Sequence, residues 1–166
     1  LGLFGITLTI AAFIGACLGG AVDDRIGSKT VIVIALLIFI VGSIGVLSVD
    51  PDEILFVVPV ESNATGGGLF ASAGEQVLLA FALLLGIALG PIQASSRTLL
   101  ARICPPDKIT EFFGFFAFSG KVTAFAAPLA IGIVTVLTDS QRLGISVSLV
   151  FLIAGLMLLL PVRATR

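Results

Sequence analysis

Long stretches without a single charge alternate with short polar turns along this chain. Residues 1–22 and 31–49 are uncharged, and so are 76–96 and 143–162. Each stretch reaches the roughly 17 to 25 residues that a helix needs to cross a hydrocarbon core about 30 Å thick. A fifth stretch, 111–138, is apolar apart from Glu111 at its start and Lys121 within it. The run 54–60 is too brief to span as a helix. It sits among Pro51, Asp52, Pro59 and the Gly66-Gly67-Gly68 triplet, which reads as an ordered loop with a small hairpin. The pattern predicts five helices, at about 1–22, 30–49, 76–101, 111–138 and 143–162, with a long loop at 50–75.

Composition fixes the solvent. The chain is 58% hydrophobic and 11% charged, with a mean hydropathy of +1.23, whereas a soluble domain carries about 25% charge. There is too little polar surface to dissolve the folded chain, so an all-α, multi-pass transmembrane bundle is expected, with the lipid bilayer as its first partner. A net charge of −1 supplies no basic field, which excludes nucleic acid as a partner. His, Trp and Tyr are absent. Without His there are no histidine metal sites, Ser-His triads or histidine proton relays. No catalytic residue, metal or cofactor is expected, and the protein is read as not an enzyme. Cys17 and Cys104 read as two isolated thiols. Leu1 opens inside an apolar run, with neither a basic n-region before it nor a small-residue cleavage site after it. That opening reads as a piece cut from a longer protein.

Orientation follows from the basic residues. One side holds Arg25, Lys29, Arg97, Arg102, Lys108, Arg163 and Arg166; the other holds only Arg142, with Asp50, Asp52, Glu53, Glu61, Glu75 and Asp139. The turns at 20–30 and 101–110 and the C-terminus are therefore expected in the cytoplasm, and the 50–75 loop outside. The expected location is the bacterial inner membrane. Asn63-Ala64-Thr65 fits a glycosylation sequon on the external side. Small residues recur at helical spacing, Gly15 with Gly19 and Gly86 with Gly90 and Ala94. In lipid, where no hydrophobic drive joins helices, such seams let backbones approach.

Between the first two helices the chain reads GAVDDRIGSKT, Gly20 to Thr30. Asp24 falls at the C-terminal end of its helix, where the dipole disfavours an anion. It needs Arg25, Lys29 or the N-terminus of another helix beside it, unless this is an ordinary charged loop. Gly27 permits the sharp turn back into the membrane. The stretch resembles the signature loop of the major facilitator superfamily, Gly-x-Leu-Ala-Asp-Arg-x-Gly-Arg-Lys. Gly20, Asp24, Arg25, Gly27 and Lys29 match, and Val22 stands in for Leu. Two positions depart: Asp23 stands where a small residue is usual and Ser28 where a base is usual, which leaves the turn less positive. The resemblance implies that this loop joins the second and third helices of a six-helix half. It also implies that Asp24 and the basic residues form a latch that holds one access state and breaks in the other.

The third and fourth helices carry the candidate chemistry. Pro91 removes a helical hydrogen bond and is expected to bend helix three. Gly86, Gly90, Gln93 and Arg97 are spaced 4, 3 and 4 and so share a face that turns polar toward the cytoplasm. That face suits a water-filled cleft, although Arg97 could equally snorkel to the interface. Lys121 lies ten residues past Glu111, roughly 15 Å along a helix. An ammonium at mid-membrane costs roughly 2.5–3.5 kcal/mol even on lenient insertion scales. No predicted helix offers a carboxylate at that depth, so its counter-charge is a bound anion, cavity water or an acid on a helix outside this chain. Gly114, Lys121 and Pro128 repeat every seven residues. The Ser-Gly-Lys-Val-Thr string around Lys121 is not a phosphate-binding loop, because Val122 follows the Lys and Phe115 replaces the first Gly.

Residues 90–128, with Ser140-Gln141-Arg142-Leu143-Gly144, resemble the autophagy-type vacuolar effluxer branch of the same superfamily. The motifs are Gly-Pro-Ile-Gln-Ala-Ser-Ser-Arg from Gly90, Pro105-Pro106-Asp107, Glu111-Phe112-Phe113-Gly114 and Ser119-Gly120-Lys121. The resemblance implies that residues 1–166 are helices eight to twelve of a twelve-helix transporter, a partial C-terminal six-helix bundle whose partner is the missing N-terminal half. The expected function is secondary active transport of a small solute by alternating access. A cationic wall of Gln93, Arg97 and Lys121 suits an amino acid or other small carboxylate, with efflux as the direction. A transporter fold kept as a non-transporting scaffold is the alternative. A membrane-embedded hydrolase is less favoured, since Ser95 and Ser96 have no His and no nearby intramembrane acid.

Overall fold

The computed structural model describes residues 2–48, 53–54, 58–59 and 73–162. The sequon at 63–65, the glycine triplet at 66–68, and Arg163 and Arg166 lie outside the described residues. Among the described residues the fold has five long helices: α1 (Gly2–Ile26), α2 (Ser28–Leu47), α3 (Ala73–Ile103), α4 (Ile109–Thr138) and α5 (Gln141–Leu159). Two two-residue strands, Glu53–Ile54 and Val58–Pro59, pair antiparallel in the α2–α3 connection, Glu53 opposite Pro59 and Ile54 opposite Val58. Among the described residues, α2 to α5 each supply a segment long and apolar enough to cross a membrane. Helix α1 is 25 residues long and uncharged through Val22. This is an integral membrane protein.

The helices run further at the turns than the uncharged stretches suggest. Helix α1 continues through Asp23, Asp24 and Arg25, and α2 begins at Ser28, so the expected 20–30 loop contracts to Gly27. Gly27 reverses the chain at φ 87°, a region that a side chain disfavours. The second turn is a 3₁₀ step, Pro106–Lys108, and Asp139, left-handed at φ 50°, closes α4 before α5.

Small residues set the packing of the first three helices. A Cβ on Gly15 would collide with the backbone of Ile87, and one on Gly90 with the backbone of Ala12 and Ala16. A Cβ on Gly19 would meet Pro91 Cγ at 2.6 Å, and one on Gly86 the Cβ of Ala11 at 2.9 Å. The two seams read from the sequence therefore face each other. Because the paired positions rise together, α1 and α3 run parallel. Helix α2 lies antiparallel on α3, with Gly42 against Leu85 and Gly45 against the ring of Phe81. Among the described residues, the buried apolar residues Ala11, Val31, Ile32, Ala35, Ala82, Ala88 and Leu99 belong to these three helices, and Cys104 follows directly on α3.

Helices α4 and α5 form a separate hairpin. Gly144 of α5 meets Thr135 and Ile131 of α4, and Ser140 caps α5 by accepting from the Leu143 amide at 3.4 Å. No residue of α4 is buried.

Candidate functional site

One end of the bundle gathers the last turns of α1, α3 and α5 and the first turns of α2 and α4. It carries Arg25, Lys29, Arg102 and Lys108, and is called the basic end below. Gly20, Asp24 and Arg25 are exposed there. Asp24 and Arg25 make no hydrogen bond or ion pair among the described residues. Lys29 is engaged elsewhere. Its Nζ donates to the carbonyls of Leu160 at 2.7 Å and Val162 at 2.8 Å. Those carbonyls close the C-terminus of α5, where unpaired acceptors and the helix dipole both favour a cation. The motif's last base thus ties the start of α2 to the end of α5.

The carboxylate held inside is Asp23. Ser28 Oγ donates to Asp23 Oδ1 at 2.6 Å, in a buried bond. Arg102 Nη1, from the last turn of α3, approaches the same oxygen at 3.6 Å. The Asp23 side chain is 6% exposed and that of Arg102 45%. The sequence marked Asp23 only as a departure from the signature and Arg102 only as a cytoplasmic base, and neither as a site residue; the spacing along α1 is the signal that could have found the first. Ala11, Gly15, Gly19 and Asp23 fall four apart on the face that meets α3, whereas Asp24 is turned about 100° away.

The predicted pathway residues sit differently. Gly86, Gly90 and Pro91 are buried under α1, and α3 continues unbroken through Pro91. Gln93 and Arg97, which follow on the same stripe, are exposed and make no polar contact among the described residues. Ser95, between them, is 1% exposed, and its hydroxyl has no hydrogen-bond partner among the described residues. Lys121 lies twelve positions into the 30-residue α4, about 18 Å from its start. It is exposed and has no hydrogen bond or ion pair among the described residues. The flanking Phe118 and Phe125, at i−3 and i+4 on its face, are 66% and 72% exposed.

Two cavities bear on the arrangement. One of about 350 Å³ lies among α2, α3, α4 and α5, lined by apolar residues such as Ile32, Leu99, Phe116 and Leu159. Another, about 500 Å³ and open, lies beside Glu111, Gly114, Phe115 and Phe118 of α4. Gln93, Arg97 and Lys121 line neither. They stand instead on open helix faces.

Residues 75–166 match the protein family described as vacuole effluxer Atg22 like. The chain belongs to that family. Autophagy-related protein 22 of Cryptococcus neoformans is 36% identical over 100 residues, covering 60% of this chain and 18% of that protein. The Saccharomyces cerevisiae protein of the same name is 35% identical over 77 residues, 46% of this chain and 14% of its own length. An uncharacterized MFS-type transporter of Bacillus subtilis, YxiO, is 31% identical over 78 residues, 47% of this chain and 18% of that one. The chain spans less than a fifth of the length of these curated relatives. The crystal structure of a D-xylose-proton symporter superposes with a TM-score of 0.74 over 98% of this chain and 38% of the symporter, at 20% identity. The fold is that of the major facilitator transporters. The family match runs from Glu75 onward, a range of this chain that includes Gln93, Arg97, Arg102 and Lys121 but not the turn at 20–30.

Proposed function

We propose that this chain is the C-terminal part of an alternating-access secondary transporter, supplying five of the six helices of one half. Its solute is a small carboxylate such as an amino acid, and the direction is efflux. The basic end faces the cytoplasm, as the concentration of Arg and Lys there favours, and the C-terminus lies on that side of a bacterial inner membrane.

Lys121 carries this reading. An ammonium near the middle of a spanning helix, without a protein partner among the described residues, is costly in lipid and persists where water or an anion reaches it. Gln93 and Arg97 stand on an exposed stripe of α3 and would complete a polar wall on the side where the other half docks. Around that wall two bundles rock, exposing the site to each side in turn. Gly20, Asp24, Arg25 and Gly27 form the turn at the gate. The outward Asp24 and Arg25 are free to meet the other half, and Lys29 secures the turn to α5.

The test is flux in vesicles. The full-length protein in liposomes, preloaded with labelled amino acids, should release them down a gradient, and Lys121→Ala should abolish release while insertion stays intact. Lys121→Arg, which keeps the charge, should retain part of it. Unchanged flux in Lys121→Ala would remove this residue from the pathway and overturn the assignment.

A further inference from the structure

The two positions at which the 20–30 turn departs from the superfamily signature are bonded to each other. Asp23, in place of a small residue, accepts the hydroxyl hydrogen of Ser28, in place of a base, at 2.6 Å. Both are buried, Asp23 at 5% exposure and Ser28 at 2%. A carboxylate inside a helix bundle needs such a donor and a counter-charge, and Arg102 supplies the second at 3.6 Å. The signature's own Asp24, one residue on, is exposed and bonds to nothing described.

Arg102 is also well placed to matter. It lies in the last turn of α3, immediately before Ile103, the buried Cys104 and the 3₁₀ step that begins α4. Helix α4 has no buried residue, so its placement against α1–α3 depends on this short connection and on the hairpin with α5. A clamp on Arg102 therefore fixes the root of the helix that carries Lys121.

We propose that Asp23, Ser28 and Arg102 act as one positioning unit that anchors the α3–α4 turn. In it, Asp23 is the buried carboxylate of the turn, while Asp24 stays on the outer face. A small residue at 23 and a base at 28 would have no use for each other; Asp and Ser do. The unit works within this one bundle, whatever the solute.

Cys104 is a native reporter, since it is 7% exposed and two residues from Arg102. In the full-length protein in membranes, its modification by N-ethylmaleimide can be followed by mass spectrometry at that site. Asp23→Asn or Arg102→Gln should each speed labelling about fivefold, as loss of a half-exposed ion pair implies. The double variant should be no faster than either single one, because it removes a pair already broken. Asp24→Asn should leave the rate within about twofold of the parent. Ser28→Ala removes a single oxygen and should speed labelling about threefold; it decides the matter if the charged variants do not assemble. Multiplying effects in the double variant, an Asp24→Asn effect equal to that of Asp23→Asn, or no change in Ser28→Ala would each overturn the proposal.

Discussion

The α1–α2–α3 layer and helix α4, apart from the seam where α4 meets Gly144 of α5, are built from similar residues and packed in opposite ways. In the layer, glycines 15, 19, 42, 45, 86 and 90 each lie against a neighbouring helix so closely that a Cβ would collide. On α4, glycines 114, 120 and 132 have nothing within 4 Å of where a Cβ would stand. Phe115, Phe125, Val136 and Leu137 are 72% to 79% exposed on the same helix. In water, burial of such side chains would draw α4 inward, but lipid tails solvate them as well as a protein core does. Contact between membrane helices therefore follows shape, and shape here favours α1 with α3. The proposed solute-binding lysine lies on the loosely packed element, where a change of position breaks few contacts.

That contrast can be broken most forcefully at its tight side. Gly90→Leu should prevent assembly of the full-length protein, because its new side chain meets the backbone of α1, which cannot rotate away; a cost above about 3 kcal/mol is expected. Loss of a monodisperse peak in detergent would show it. At the turn, Gly27→Val forces a β-branched residue to φ 87° and should cost about 1–3 kcal/mol, read as a lower midpoint of thermal unfolding. Lys29→Ala leaves the carbonyls of Leu160 and Val162, just past α5, without their donor and should cost about 1 kcal/mol, also as a lower midpoint. The smallest effect belongs to the loose side. Gly114→Ala and Gly120→Ala should shift stability by under about 1 kcal/mol, upward if helix propensity dominates. A severe loss there would show that α4 is packed as tightly as α3, and the comparison would fail.

Five helices, their approximate ends and the small-residue seams were legible because charge and hydropathy change sharply at a membrane boundary. The pairing of the seams was not, since Gly15 and Gly86 are each only half of a contact. Lys29 shows the limit from the other direction. The signature identified it as part of a charged latch, but its partners are backbone carbonyls of Leu160 and Val162, and carbonyls leave no mark in a sequence. Asp23 and Asp24 differ only in phase along α1. A one-residue step turns a helix by about 100°, so the choice of the buried one rested on where α3 lies. Gln93, Arg97 and Lys121 were singled out for charge and depth, and the structure leaves all three on exposed faces.

Sequence alone determined the solvent of this protein, the number of its helices and the residues small enough to let them touch, because those properties depend on each residue and its near neighbours. Tertiary structure decided which seam met which, which of two adjacent aspartates went inside, and that Lys29 holds the end of α5. These depend on groups up to 133 positions apart, brought together only when the helices pack.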